Sequence, residues 1–235
     1  MTDTVVTTAT LSDRDLAPFI QHTLIKADLT LATMLAHARE CIEWGFSAAM
    51  VPGSWVKEVA AELAGTDVVV ASALDFPTVG VTTPLGKATE AAELVRRGAQ
   101  QLDIGVQIGW LKSGRFDDFR DDIAGVVKAA GVPVKVMLEL PLLAPAEREA
   151  AVELSMEAGA AYLKNASSGA VEIAHPASIR WLADRTRNGV LVKASGGIAS
   201  AMHVRALLDA GASLVGTSAG IDIVRGTTGS STRSY

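Results

Sequence analysis

The chain has 235 residues, 49% of them hydrophobic and 20% charged, enough apolar material for a sizeable core and too much for disorder to dominate. Its 21 basic and 26 acidic side chains leave a net charge of −5, the wrong sign for an electrostatic grip on nucleic acid. A single cysteine, Cys41, cannot form an internal disulfide and favours a reducing compartment.

The first ten residues are rich in threonine and lack both a basic residue and a long apolar run, unlike a signal peptide. A weak strand candidate, 19–24, follows, and from there strands and amphipathic helices alternate. Helix 29–44 carries Leu31, Met34, Leu35, Ala38 and Ile42 at three- and four-residue steps, the period of a one-faced helix, with Cys41 as a packed, unreactive thiol. Strand 48–51 precedes helix 54–64, strand 68–73 precedes helix 84–97, and strand 101–106 precedes helix 117–130. Strand 134–138 leads to helix 145–158, where Pro145 suits the first turn and Gly159 a left-handed cap. Gly98, Gly131 and Gly211 punctuate three other helices in the same way. Strand 161–164 with helix 176–186, strand 190–193 with helix 200–210, and strand 213–216 with a short helix from Ala219 complete the pattern. The most apolar runs, 68–74 and 132–143, are too short to span a bilayer. The expected location is cytoplasmic, with neither a membrane nor nucleic acid as partner.

Continuous apolar strands imply burial on both faces and hence a parallel sheet. Eight strand–helix units predict an α/β fold, a closed (β/α)8 TIM barrel forming one domain over 1–225, with a flexible tail at 226–235. The rival, an open doubly wound sheet, favours a glycine-rich turn after the first strand, and Ile25-Lys26-Ala27-Asp28 is no such turn.

In a barrel, chemistry gathers at the C-terminal ends of the strands. Asp103, Glu139, Lys164 and Lys193 sit there, the two lysines closing neighbouring strands. Two nearby ammonium groups repel and burial disfavours charge, so one amine loses its proton unusually easily. A neutral amine is what a Schiff-base nucleophile requires, and Asp103 could hold the other lysine charged or shuttle a proton through water. The competing reading is a buried ion network that only braces the barrel. Ser195-Gly196-Gly197-Ile198 and Gly216-Thr217-Ser218-Ala219-Gly220 follow strands seven and eight, where barrels commonly bind phosphate; tight turns alone would explain each glycine singly. Of the four histidines, His37 and His203 fall in helices and His175 beside Pro176. His22 reads as a hydrogen-bonded structural residue, and no metal or cofactor is expected.

Together these segments resemble the deoxyribose-phosphate aldolases, class I aldolases on a TIM barrel. The likeness runs from Ile20-Gln21-His22-Thr23-Leu24 to the last residue. It rests most on Leu102-Asp103-Ile104-Gly105-Val106-Gln107-Ile108-Gly109, Leu111-Lys112-Ser113-Gly114, Val192-Lys193-Ala194-Ser195-Gly196-Gly197-Ile198 and Gly216-Thr217-Ser218-Ala219-Gly220. The resemblance implies reversible cleavage of 2-deoxyribose 5-phosphate to acetaldehyde and glyceraldehyde 3-phosphate, without cofactor or metal. It assigns the Schiff base to Lys164, matching Tyr162-Leu163-Lys164, proton relay to Asp103 and Lys193, and proton transfer to the terminal Tyr235. Substrate would meet Thr23, Ser167, Gly169, Gly196, Gly197, Gly216, Thr217 and Ser218, the phosphate lying on Gly196, Gly197 and Ser218. A homo-oligomer, dimer or tetramer, is implied.

Four segments depart from the family pattern. Gln21 stands where an Asp is usual, Asn165-Ala166-Ser167-Ser168-Gly169 replaces Thr-Ser-Thr-Gly, and Pro141 replaces a small polar residue. All three are expected to face substrate. Asp75-Phe76-Pro77-Thr78-Val79-Gly80 replaces Gly-Phe-Pro-Leu-Gly. Two alternatives therefore stand beside the main reading: the same amine chemistry with a different aldehyde acceptor, and a non-catalytic phosphate-binding barrel.

Overall fold

A computed structural model describes residues 8–227. Eight strands, β1 (Ile20–Thr23), β2 (Ala48–Val51), β3 (Val69–Leu74), β4 (Gln101–Gly105), β5 (Val134–Met137), β6 (Tyr162–Lys164), β7 (Leu191–Ser195) and β8 (Leu214–Thr217), pair in chain order, and β8 closes on β1. Each pairing is parallel. The helices are α1 (Leu31–Trp44), α2 (Val56–Glu62), α3 (Pro84–Arg96), α4 (Ile108–Lys112), α5 (Phe116–Ala130), α6 (Pro145–Glu157), α7 (Pro176–Ala183), α8 (Ala201–Asp209) and α9 (Gly220–Val224). The (β/α)8 barrel expected from the alternation is the observed fold.

Local signals set the helix ends. Thr30, Thr83 and Ser200 accept N–H bonds from Thr33, Gly86 and His203 at 3.2–3.3 Å, satisfying donors that a first turn leaves free. Pro145 occupies the first turn of α6, and Gly159, Gly98, Gly131 and Gly211 all take positive φ, as expected of residues past a helix end. Sequence reading missed α4: five residues show no period, and Gln107 before them makes no side-chain cap. The predicted helix 54–64 opens instead with a 3-10 turn at Gly53–Trp55. At the other end of the chain, Thr227 N–H donates to Asp222 O at 2.9 Å and closes α9. Tyr235 and most of the 226–235 segment lie outside the described residues.

Two apolar clusters are separate. The large one fills the space between the sheet and its helices. The small one, Ala48, Met50 and Ala71 with Ile25, Val69 and Ala73, lies on the inward face of β2 and β3 beside the loop after β1. Successive side chains on a strand point to opposite faces, so β4–β7 present Asp103, Lys135, Lys164 and Lys193 to the same interior. The register pairs Asp103 with Lys135, Met137 with Lys164, and Lys164 with Lys193. Small side chains on one side of the barrel thus leave volume for long amines from the other.

Candidate active site

Three lysines converge on one carboxylate. Lys193 Nζ donates to Asp103 Oδ2 at 2.7 Å, and Lys164 Nζ donates to the same oxygen at 3.0 Å. Lys135 Nζ forms an ion pair with Asp103 Oδ1 at 3.3 Å and lies 5.6 Å from the centre of the Tyr162 ring. Lys193 also donates to Gln21 Oε1 at 2.6 Å, and Gln21 Nε2 donates to Gln101 Oε1 at 2.8 Å. The side chains of Asp103 and Lys135 are fully buried, that of Lys193 is 1% exposed, and that of Lys164 is 7% exposed. Lys164 therefore reaches furthest toward solvent. It lines a narrow cleft with Thr23, Phe76, Asp103, Ser167, Lys193, Ser195 and Gly216.

Charge and burial oppose each other here. Burial alone would push the Asp103 carboxyl up, but Lys193, Lys164 and Lys135 outweigh it and hold the group ionised, well below the usual carboxylate range. Burial drives the proton affinity of Lys193 far down, and Asp103 only partly restores it. Lys135 is lowered for the same reason. Glu139, at the end of β5 with φ +50°, is pushed up by burial against the bond that its Oε1 accepts from Ser167 N–H at 2.6 Å. An amine that gives up a proton more readily than a free lysine, beside an ionised carboxylate shared with the solvent-reaching lysine, is arranged to move protons.

The loops shape the space above this cluster. Asp75 takes φ +51°, a conformation that favours glycine. Its carboxylate accepts N–H bonds from Gly80, Val81 and Thr82 at 2.7–3.2 Å, which offset a strain of about 1–3 kcal/mol. The turn so fixed carries Phe76 to the cleft. Gly216 is required by close approach: a Cβ there would lie 2.6 Å from Ser195 Oγ and 3.0 Å from Lys193 Cε. Next to the cleft and sharing Gly216 with it is a cavity of about 260 Å³, lined by Gly169, Gly196, Gly197, Thr217 and Ser218 among others. Gly196 has φ +114°, and a Cβ on it would run into Glu172 O at 2.0 Å, so the backbone of this rim can be approached closely.

The structure thus brings Lys164, Lys193, Asp103, Thr23 and Ser167 together in the cleft and the glycine-rich residues together beside it. Thr217 lines the cavity, and its hydroxyl donates to Ile198 O at 2.6 Å and accepts from Ala219 N–H at 3.0 Å. It thereby ties the end of β8 to the loop after β7. Gln21 differs from expectation. It faces Lys193 rather than a substrate space, since the residues that alternate with His22 on β1 point inward. Asn165 is buried and bridges β6 to β7, donating to Ser195 O and accepting from Ser195 N–H at 3.0 and 2.9 Å.

Sequence reasoning missed Lys135 as a member of the cluster. A lone charge between Val134 and Val136 was the available signal. It also missed that His22, His37 and Glu40 meet, their ligand-type atoms lying within 4.8 Å of one another behind the barrel wall. Burial lowers His37 to about 3, with His22 adding to the effect, so its ring is neutral. His22 Nε2 lies 3.8 Å from Glu40, while its Nδ1 is buried without a hydrogen-bond partner; the structural, hydrogen-bonded role expected of this ring is at most half met. Cys41 is buried, and burial pushes its thiol up, consistent with an unreactive packed group.

A bared amine, a carboxylate to pass protons and an adjoining glycine-rimmed space suit an aldolase that works through a Schiff base. Comparisons with known proteins agree. A deoxyribose-phosphate aldolase of Methanothermobacter thermautotrophicus is 41% identical over 213 residues, covering 90% of this chain and 95% of the relative. One of Staphylococcus carnosus is 38% identical, covering 90% and 96%. The tetrameric deoxyribose phosphate aldolase of Aeropyrum pernix superposes with a TM-score of 0.83 at 29% identity, covering 91% of each chain. No protein-family model matches the chain. The chain belongs to the deoxyribose-phosphate aldolase family.

Proposed function

We propose that this chain catalyses the reversible cleavage of 2-deoxyribose 5-phosphate to acetaldehyde and glyceraldehyde 3-phosphate, with Lys164 as the Schiff-base nucleophile. The observation that carries the assignment is that Lys164 is the most exposed lysine of the cluster lining the cleft, while its Nζ shares Asp103 Oδ2 with Lys193. In this scheme the lone pair of Lys164 Nζ attacks C1 of the open-chain sugar, and loss of water gives an iminium. Removal of the proton from the C3 hydroxyl sends the C2–C3 electron pair into the iminium. Glyceraldehyde 3-phosphate leaves, and an enamine remains on Lys164. Protonation of its terminal carbon and hydrolysis release acetaldehyde and regenerate the amine. Asp103 and Lys193, through water, are the groups proposed to pass these protons. Tyr235 joins them by resemblance to the family.

The cavity beside the cleft supports a phosphate seat at Gly169, Gly196, Gly197, Gly216 and Ser218, with Thr23 and Ser167 nearer the reacting carbons. The scheme requires no metal or cofactor. Among the described residues no helix is long and apolar enough to cross a membrane. With the lone reduced cysteine, this supports a cytoplasmic setting. The tetrameric Aeropyrum pernix relative supports self-association.

The test is borohydride reduction in the presence of acetaldehyde, read by intact mass and peptide mapping. Wild type should gain one reduced two-carbon adduct at Lys164, and Lys164→Ala should gain none. No adduct on wild type, under conditions that trap a known class I aldolase, would end the catalytic reading. An adduct surviving Lys164→Ala would move the nucleophile elsewhere. Turnover of 2-deoxyribose 5-phosphate beside a panel of other aldehydes then distinguishes the acceptor.

A further inference from the structure

Gln21 occupies a position that the charge balance makes consequential. Its side chain is buried, with the residue 1% exposed. Its Nε2 is committed to Gln101 Oε1 at 2.8 Å, so its oxygen, not its amino group, faces Lys193 Nζ at 2.6 Å. The reverse orientation would set donor against donor. A continuous chain of polar contacts therefore crosses the barrel, Gln101 to Gln21 to Lys193 to Asp103 to Lys164.

The groups facing Lys193 from every strand packed around it define its proton balance. β1 presents Gln21, β4 presents Asp103, β5 presents Lys135 and β6 presents Lys164. The β8 neighbour is the backbone of Gly216, and the inward residues of β2 and β3 are Ala48, Met50, Ala71 and Ala73. Among the described residues Asp103 is the carboxylate in direct contact with the three amines, and the buried Glu139 at the end of β5 also acts on Lys164. Full protonation would set three ammonium groups around Asp103 in an interior where Lys164 alone reaches toward solvent, which is unfavourable. This crowding, with burial, favours release of a proton from the most enclosed amines, Lys193 above all.

We propose that Gln21 is a positioning residue that holds Lys193 against Asp103 without adding a second anion, and that its neutrality leaves Asp103 as the one anion in contact with Lys193. This rests on the aldolase reading given above. A carboxylate of the same length at this position would be a new counter-charge at hydrogen-bond distance from Lys193 and would retain a proton that the amide does not. A methionine would fill the same volume with neither an acceptor nor a charge.

The experiment compares wild type, Gln21→Glu and Gln21→Met. The rate of acetaldehyde trapping by cyanoborohydride is measured across pH, together with turnover of 2-deoxyribose 5-phosphate. For Gln21→Glu the acidic limb of trapping should move to higher pH by about one unit or more, a roughly tenfold lower rate on that limb, with the alkaline plateau restored to the wild-type level. For Gln21→Met the limb should not move upward, while turnover should fall about tenfold or more because Lys193 loses its second anchor. A purely structural role would lower rates without moving the limb. Superimposable pH profiles for folded Gln21→Glu and wild type would overturn the proposal. So would turnover within about twofold of wild type for Gln21→Met, which keeps the test alive should the charged variant fail to fold. Absence of any wild-type adduct would overturn the aldolase reading itself, and this proposal with it.

Discussion

Replacing Asp103 by Asn removes the negative charge on which three amines converge while keeping the side-chain volume. The contacts are 2.7, 3.0 and 3.3 Å. At an effective dielectric constant of about 20, a unit charge pair about 3 Å apart is worth roughly 5 kcal/mol. One pH unit corresponds to about 1.4 kcal/mol. Loss of this carboxylate should therefore move proton release from the cluster by up to about four units, as a property of the coupled set rather than of one lysine. The sign follows from the charge: without the anion, protonated amines are disfavoured, so protons leave at lower pH. The acidic limb of Schiff-base trapping should shift toward acid, and Lys164 should still be trapped at neutral pH. Turnover should nevertheless fall by roughly 10²–10⁴-fold, because no group remains to pass protons between substrate and Lys193. Trapping by intact mass, turnover across pH and circular dichroism on the same preparation separate these effects. A folded Asp103→Asn protein with turnover within about tenfold of wild type, or with its trapping limb unmoved, would refute the reasoning.

Gly216→Ala should force Lys193 aside, because the new methyl group would sit 2.6 Å from Ser195 Oγ and 3.0 Å from Lys193 Cε. We expect a stability loss of about 1–3 kcal/mol in urea unfolding and a turnover loss larger than the loss in trapping; unchanged turnover would show that Lys193 can repack freely. Lys135→Met should flatten the dependence of stability on alkaline pH. Burial lowers Lys135 from 10.5, so between its folded value and 10.5 the unfolded chain binds more protons, and native stability rises with pH across that window. The variant loses this contribution, while Lys193, lowered likewise, retains its own. Urea midpoints with the same pH slope as wild type would show that Lys135 stays protonated in the fold.

Alternating strands and helices were legible because their signals are local. A strand buried on both faces of a parallel sheet reads as an apolar run, and Thr30, Pro145 or Gly159 marks a helix end within one turn. Lys164 and Lys193 were legible because a charge closing such a run is conspicuous. What an apolar run does not record is which of its residues face inward, since both faces are buried and both are apolar. Lys135 was missed and Gln21 misplaced for that reason, and the partners of His22 were hidden too, because it lies between two inward-facing residues and so points outward to meet His37 and Glu40. Asp75 shows the converse case, where a non-glycine residue in a left-handed turn is explained only by the three amides that its carboxylate accepts. The amine cluster itself is assembled from partners 61, 90 and 172 positions apart, and Gln21 meets Lys193 because the first and last strands join. Period and capping act over a few residues. Only closing the barrel brings the amines to one carboxylate, and the burial that comes with it, not residue type alone, lowers the proton affinity of Lys193 and Lys135.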